Sequence, residues 1–435
     1  IGTTKGARSM KGFSRRGFLK TTLAGVAGSS ILSIDDKTQL LDSVSPLGFR
    51  AKGAGDEKYW NLVRKQFQFA SGLHYFNNAS LGPCPAYVSD AASKFRATLE
   101  SFPSKYMWGG WYNEIEQVRK KAAKMFNAHP DEIALNHNTS EGLSLVAHSL
   151  KLKSGDEVIL SDHAHLTAVN PFRFYQAGTG VKLVRPKLPL LPQNSEELVE
   201  VYRKALTPRT KAIVISHMVN TNGMILPVKE ICAMAREQGI LSLVDGAQTP
   251  GMIPVDVKEM GCDFYATSGH KWMMGPKGTG VFYASLEKQE MLTPIMAAKP
   301  AGKDKGARRF ENYNTRNLPD VLALGTAIDF HNLVGEQNKF ERIQFLKRYL
   351  LVKVKERDFL SLRMPEDDSL SLGISSVEMK DKKVVEVATA LEKDFGISVR
   401  PMPMLGINGL RISTSICTTV KEIDLLVKAL DKIQA

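Results

Sequence analysis

Apolar positions along the chain change period in a regular way. Ile115, Val118, Ala122, Met125 and Phe126 recur at three- and four-residue spacings, which predicts an amphipathic helix ending near Asn127-Ala128-His129-Pro130. Glu157–Leu160, Lys211–Ser216 and Leu241–Asp245 are short, nearly continuous apolar runs, the pattern of strands covered on both faces. Between the last two, Val228, Ile231, Cys232 and Ala235 share one side of a helix over 228–238, and Gly239 is placed to cap it. Alternation of this kind predicts an α/β fold with a mainly parallel sheet between helices. Ligands of such sheets collect beyond the carboxyl ends of the strands, so polar residues just after each run become candidates. From roughly Gln337 onward, charged helices alternate with short strands around Ile397–Arg400 and Leu410–Ser413. They predict a smaller C-terminal domain to which residues near 50–100 also contribute. The expected division is an N-terminal signal over 1–34, a connecting segment over 35–72, a large domain over 73–310 and a small domain over 311–435. The stretch 299–306, rich in Pro, Gly and Lys, reads as a mobile loop.

A chain of 435 residues exceeds a single core, and 43% hydrophobic with 24% charged residues is ordinary for a globular protein. The formal charge of +13 suggests nucleic acid until it is located. Six of the 58 basic residues lie in residues 1–34, which hold no Asp or Glu; the rest are spread over the chain without a basic arm or stripe. A solvated basic surface is therefore expected, and no nucleic-acid partner. Cys84, Cys232, Cys262 and Cys417 show neither CxxC nor a disulfide framework, and the nine His have no metal-site spacing. No metal is expected.

Ser14-Arg15-Arg16-Gly17-Phe18-Leu19-Lys20 precedes a short, mildly apolar run to Ile34 that is too weak to span a bilayer. It resembles a twin-arginine export signal. That resemblance implies a soluble periplasmic protein, exported folded and often cofactor-loaded, which meets the membrane only in transit.

The densest chemistry lies between residues 216 and 280. Asp245 closes a buried apolar run and opens Asp-Gly-Ala-Gln; a carboxylate there is costly unless a cation faces it. Ser268-Gly269-His270-Lys271-Trp272 follows the apolar approach Asp263-Phe264-Tyr265-Ala266, and a buried lysine has a lowered pKa and a nucleophilic amine. Gly275-Pro276-Lys277-Gly278-Thr279-Gly280 then turns the chain back, and it is no Walker A loop. Each residue alone is weak; the ordered pair of motifs is specific. Lys211–Tyr283 resembles the class V aminotransferase family of pyridoxal-phosphate (PLP) enzymes, and a fainter likeness extends from about Tyr75 to the C-terminus.

The resemblance implies a fold-type I PLP-transferase fold, with a large α/β domain and a smaller α+β domain. It implies Lys271 as the Schiff-base lysine, Asp245 at the pyridine nitrogen, Gln248 at the phenolic oxygen, and Ser268 and His270 at the phosphate. Asn138-Thr139-Ser140-Glu141-Gly142 reads either as a plain helix N-cap or as an anion site. The resemblance favours the second, with Thr139 and Ser140 on the phosphate. In Asp162-His163-Ala164-His165, the resemblance selects His165 to stack on the ring and, with Lys271, to act catalytically; His163 is the alternative. Asn220 is implied near the cofactor oxygen. Glu311-Asn312-Tyr313-Asn314-Thr315-Arg316 resembles the segment that reaches a partner subunit's site, Thr315 touching phosphate, hence an expected homodimer. The family usually has Gly where Asn314 stands, and Asn tolerates the positive φ such a turn demands. Arg411, in Gly409-Leu410-Arg411-Ile412-Ser413, is implied to fork a substrate carboxylate, with Asn78 also at the substrate.

The expected substrate is an amino acid or peptidic small molecule with a carboxylate. Desulfurases of the family need a nucleophilic Cys on the loop before the arginine, and here 400–408 holds neither Cys nor His. The Tyr75–Ser80 opening and the Trp108/Trp111 segment look closer to the isopenicillin N epimerase-like branch. Epimerase, lyase and transaminase outcomes stay open, and so does a non-catalytic binding protein.

Overall fold

The computed structural model describes residues 51–296, 298 and 304–435. The export signal expected of residues 1–34 lies outside the described residues, as does most of 299–306.

Helix α1 (Glu57–Arg64) starts where the Asp56 side chain accepts from the Tyr59 N–H, and it buries Tyr59, Trp60 and Val63. After the two-residue strand β1 (His74–Tyr75) come α2 (Ala86–Ser101), a π-helical turn (Tyr106–Gly110) and α3 (Tyr112–Met125). Alternation then begins: β2 (Ile133–Asn136), α4 (Thr139–Ser149), β3 (Glu157–Leu160), α5 (Leu166–Thr179), β4 (Lys182–Val184), α6 (Ser195–Ala205), β5 (Thr210–Ser216), α7 (Val228–Glu237), β6 (Leu241–Asp245), β7 (Phe264–Ser268) and β8 (Gly280–Ala284).

These eleven elements build a seven-stranded sheet in the order β2-β8-β7-β6-β5-β3-β4. Strands β7, β6, β5, β3 and β4 run parallel, whereas β8 is antiparallel to both β7 and β2. The reason lies in chain length. Segment 269–279, which joins β7 to β8, is too short for a crossover helix, so the chain must double back. That tight return carries Lys271. The unbroken apolar runs also behave as expected, since successive residues feed opposite cores: Ile213 and Ile215 pack on one face, Ala212 and Val214 on the other.

Beyond the sheet lie α8 (Leu318–Val334), α9 (Glu336–Lys355), β9 (Leu360–Leu362), β10 (Ile374–Met379), α10 (Val384–Phe395), β11 (Ile397–Ser398), β12 (Arg400–Met402), β13 (Gly409–Ser413) and α11 (Val420–Gln434). Strands β12-β13-β10-β9 form an antiparallel sheet over a third core that includes Phe76, Leu346, Val377 and Leu391. Two boundaries differ from the sequence expectation. Helix α8 carries apolar residues on every side and packs against α2 and α3, so 311–334 sits with the large domain and the small one begins at Gly335, where φ is +89°. The strand expected over Ile397–Arg400 divides because its halves have different partners. Ile397 and Ser398 pair in parallel with His74 and Tyr75, while Arg400–Met402 pairs with β13. Among the described residues, no helix is long and apolar enough to cross a membrane.

Candidate active site

The carboxyl ends of β5, β6 and β7 lie side by side, Ser216 opposite Asp245 and Asp245 opposite Ala266. A cavity of about 190 Å³ opens there. Its wall combines Thr139 and Ser140 from the start of α4, His165 from the start of α5, Asn220 after β5, Asp245 and Gln248 from the end of β6, and Ser268, His270 and Lys271 after β7. Nine residues singled out over a span of more than 130 positions thus converge on one space.

Lys271 sits on the β7–β8 return, and that return is held at several points. The Gly82 N–H donates to the His270 carbonyl at 2.8 Å, and the Trp272 indole donates to Gln248 Oε1 at 2.8 Å. Burial pulls the Lys271 ammonium down to about 8; Asp245 opposes that shift and Arg411 adds to it. Asp245 is buried, accepts the Ala247 N–H at 3.0 Å, and has no ion-pair partner among the described residues. Burial raises its pKa, against the Ala247 hydrogen bond and the attraction of Lys271 and His165.

His165 caps α5 by accepting from the Thr167 N–H at 3.2 Å, which leaves its ring facing the cavity. Loss of surrounding water lowers its pKa, Asp245 raises it, and Lys271 and Arg411 lower it further. His163 points elsewhere, into a buried bond with Thr221 Oγ1 at 2.9 Å. Geometry therefore separates the two candidates. At α4 the two sequence readings are compatible with one geometry. Asn138 is the N-cap, accepting from the Glu141 N–H at 3.0 Å, and the first turn still faces the cavity. There the Thr139 N–H and hydroxyl meet Ser268 Oγ at 3.1 and 2.8 Å. His270 has a buried Nδ1 without a partner, and burial with the charges of Lys271 and Lys277 lowers its pKa to about 4, so the ring is neutral at pH 7. Gln248 Nε2 donates to the Ala79 carbonyl at 2.9 Å and keeps a second hydrogen for another acceptor.

Arg411 comes to the site from β13 of the small domain. Its Nη1 donates to the Asn220 carbonyl at 3.1 Å and its Nη2 to Asn77 Oδ1 at 3.2 Å and to Ser80 Oγ, while Nε is buried and unpartnered. Burial and Arg400 bring it down to about 10, and Tyr75 acts the other way. Asn78 lies in the same segment as Asn77 and Ser80. It is 1% exposed, and neither end of its amide finds a partner.

Thr315 is not at this cavity. It is exposed, on a segment locked by the buried Glu311, which accepts from the Leu135 N–H at 2.6 Å and from Arg316 at 3.0 Å and pairs with Arg119. Asn314 does not adopt positive φ, so the turn never required the residue it lacks. The two tryptophans part company. Trp111 is fully buried against Tyr106 and Phe95, Trp108 is 59% exposed, and neither lines the Lys271 cavity.

Sequence reasoning missed Gly82 and Gly246. A Cβ on Gly82 would stand 1.8 Å from the Lys271 carbonyl oxygen, and one on Gly246 would stand 2.0 Å from the Tyr265 ring. Leu81-Gly82-Pro83 signals a turn, but no local signal shows what that turn touches.

The donor set suits the expected cofactor. Hydroxyls and a helix N-terminus answer a phosphate, a buried unpaired carboxylate answers a protonated ring nitrogen, and a lysine of lowered pKa answers an aldehyde. The unsatisfied His270 Nδ1, Arg411 Nε and Asn78 amide are the polar groups that a bound cofactor and substrate would be expected to satisfy.

Comparison with known proteins agrees with this geometry. The aminotransferase class-V family profile matches residues 74–426. An isopenicillin N epimerase from Streptomyces clavuligerus is 30% identical over 388 residues, covering 86% of this chain and 98% of that protein. A cysteine desulfurase from Shigella sonnei is 29% identical over 395 residues, covering 83% and 93%. Among solved structures, a mutant C-DES with glycine covalently linked to its PLP cofactor superimposes with a TM-score of 0.77 at 24% identity, covering 84% of this chain and 98% of that one. The cystine C-S lyase C-DES in complex with its product cysteine persulfide gives 0.75 at 24% identity, covering 82% and 96%.

Proposed function

Because the chain belongs to the class V aminotransferase family of PLP-dependent enzymes, we propose that it works at the α-carbon of an amino acid or of a peptidic metabolite, in the manner of isopenicillin N epimerase. One observation carries the proposal: Lys271 and the unpaired Asp245 face a single cavity, and the buried Arg411 of the other domain is tied to Asn220 on its wall.

Bound pyridoxal phosphate supplies an electron sink for charge released at the α-carbon. Lys271 would hold its aldehyde, Asp245 would keep its ring nitrogen protonated, and His165 would stack on the ring. Thr139, Ser140, Ser268 and His270 would bind its phosphate, with Asn220 and Gln248 beside its phenolic oxygen. In a homodimer, Thr315 would reach the partner subunit's phosphate. Arg411 orients the substrate carboxylate, and Asn78 offers an amide with both ends free. Lys271 Nζ, at about 8, can take and return the proton at the α-carbon near neutral pH. His165 shares the cavity and is the second group able to handle a proton there.

Persulfide chemistry has little support. Loop 400–408 has no Cys. Cys417 is 2% exposed and bonded to Ser415 Oγ, and burial raises its thiol to about 11, so it offers no thiolate. Incubation of the holoenzyme with amino acids and small peptides in D₂O is the test. Deuterium at the α-carbon with loss of chirality supports the epimerase-like reading, whereas release of pyruvate or a keto acid without exchange replaces it with a lyase or transaminase. For the export signal, Arg15→Lys with Arg16→Lys is expected to abolish periplasmic accumulation; unchanged export would refute it.

A further inference from the structure

The return that carries Lys271 contains a backbone conformation that needs support. Met274 has φ +54°, in the left-handed region, at a cost of about 1–2 kcal/mol for a residue with a Cβ. Such a residue persists only where its surroundings hold it. Part of the support is local: the Gly275 N–H donates to the Gly269 carbonyl at 2.8 Å, and the Met274 N–H to the Lys271 carbonyl at 3.3 Å.

The other support comes from far along the chain. His331, on α8 and 2% exposed, places Nε2 at 2.9 Å from the carbonyl of Met273, two residues past Lys271. Its Nδ1 lies 2.6 Å from Nζ of Lys339, on α9 and 3% exposed. The Met273 carbonyl can only accept, so the ring hydrogen sits on Nε2, which donates to it, and Nδ1 is left to accept from Lys339. Lys339 has no carboxylate within ion-pair distance among the described residues; Glu336, one turn earlier on α9, is the acid that acts on it. A buried amine without a counter-ion is destabilising, and an apolar pair of similar volume would suit this core better. The amine does one thing that an apolar side chain cannot: it donates to the buried Nδ1, the ring nitrogen that must accept when Nε2 donates to Met273. Burial brings its pKa to about 7, and as ammonium or as amine it can still donate to Nδ1.

We propose that His331 and Lys339 are positioning residues for Lys271, Lys339 holding the ring through Nδ1 so that Nε2 of His331 holds the Met273 carbonyl and thereby the return that aims the Lys271 amine. Lys339 belongs to the small domain and Met273 to the large one, so the pair also ties the placement of Lys271 to the seating of the two domains. The inference rests on Lys271 as the cofactor-bearing lysine.

The test compares wild type, His331→Leu, the double variant His331→Leu/Lys339→Met, and His331→Gln, whose amide can still donate to Met273. Two quantities are read: the pH at which the cofactor's visible band titrates in the holoenzyme, and the pH profile of reductive methylation at Lys271 in the full chain freed of cofactor, followed by peptide mass mapping. The double variant should melt at or above the wild-type temperature. Both Lys271 profiles should move by about one pH unit or more, kcat should fall about tenfold or more with KM little changed, and His331→Gln should recover most of the loss. Unmoved Lys271 profiles in the double variant overturn the proposal, whether or not its melting temperature changes. A wild-type protein with no visible band overturns the cofactor assignment instead, and the methylation profile still decides whether His331 and Lys339 act on Lys271.

Discussion

Gly82 is the residue whose replacement follows most directly from the packing around Lys271. Its backbone runs against the backbone of the lysine. A Cβ there would stand 1.8 Å from the Lys271 carbonyl oxygen, 2.7 Å from the carbonyl carbon and 3.1 Å from Cα. None of these atoms belongs to a side chain that could swing away, so Gly82→Ala must push two backbone segments apart. Overpacking a core costs about 1–3 kcal/mol, and backbone against backbone belongs at the upper end. The same movement breaks the Gly82 N–H bond to the His270 carbonyl, 2.8 Å long, for about 1 kcal/mol more. The expected loss is about 4 kcal/mol. Gly178→Ala, in α5, is the control: its Cβ meets nothing within 4 Å and its φ is not positive, so it should gain about 0.5 kcal/mol. Urea unfolding at constant m gives both numbers, and absorbance after gel filtration gives retained cofactor. Gly82→Ala should lose stability and cofactor together. Stability within about 0.5 kcal/mol of wild type and full cofactor retention would refute the packing described for the Lys271 return.

Asp245→Asn removes the anion that holds the Lys271 pKa up, so the lysine should titrate below its wild-type value of about 8, read by the methylation profile. The same variant should lose about 100-fold or more in kcat/KM, because the ring nitrogen loses its counter-ion, yet unfold at no lower urea concentration without cofactor. Arg411→Lys replaces a planar fork by a point charge and should raise KM for a carboxylate substrate about tenfold or more, with a smaller effect on kcat. The buried His217, bonded to the Tyr265 hydroxyl at 3.0 Å, has its pKa lowered by burial from 6.5 to about 4. Its contribution is therefore complete above pH 6.5 and lost as pH falls towards 4, by up to about 3 kcal/mol. Unfolding midpoints across that window should flatten in His217→Gln.

The α/β core was legible because its strands are covered on both faces, which leaves runs such as Ala212–Ile215 without polar interruption. The site was legible in part for a related reason. Its residues stand at strand ends and helix starts, where an acid, a lysine or a serine is out of keeping with the apolar pattern. What a one-dimensional pattern does not hold is contact between distant segments. Gly82 is ordinary until the backbone of Lys271 is found beside it, and His331 is one of several polar residues in a mostly apolar helix until Met273 and Lys339 are seen at its two nitrogens. The boundary at Gly335 was hidden because the apolar residues of α8 are spread round the whole helix and so give no periodic sign of what it packs against. Val399 marks a change of strand partner, and the one sign of it in 397–402 is Pro401, which fits an edge strand but does not say which strand lies beside it.

The most direct measurement is borohydride reduction of the purified holoenzyme followed by peptide mass mapping, with Lys271→Ala in parallel. The wild-type protein should show a visible cofactor band that reduction removes, leaving one phosphopyridoxyl group on the peptide that contains Lys271. Lys271→Ala should show neither band nor label. A label on another lysine, or a band that survives Lys271→Ala, would contradict the assignment of Lys271 at the centre of this site.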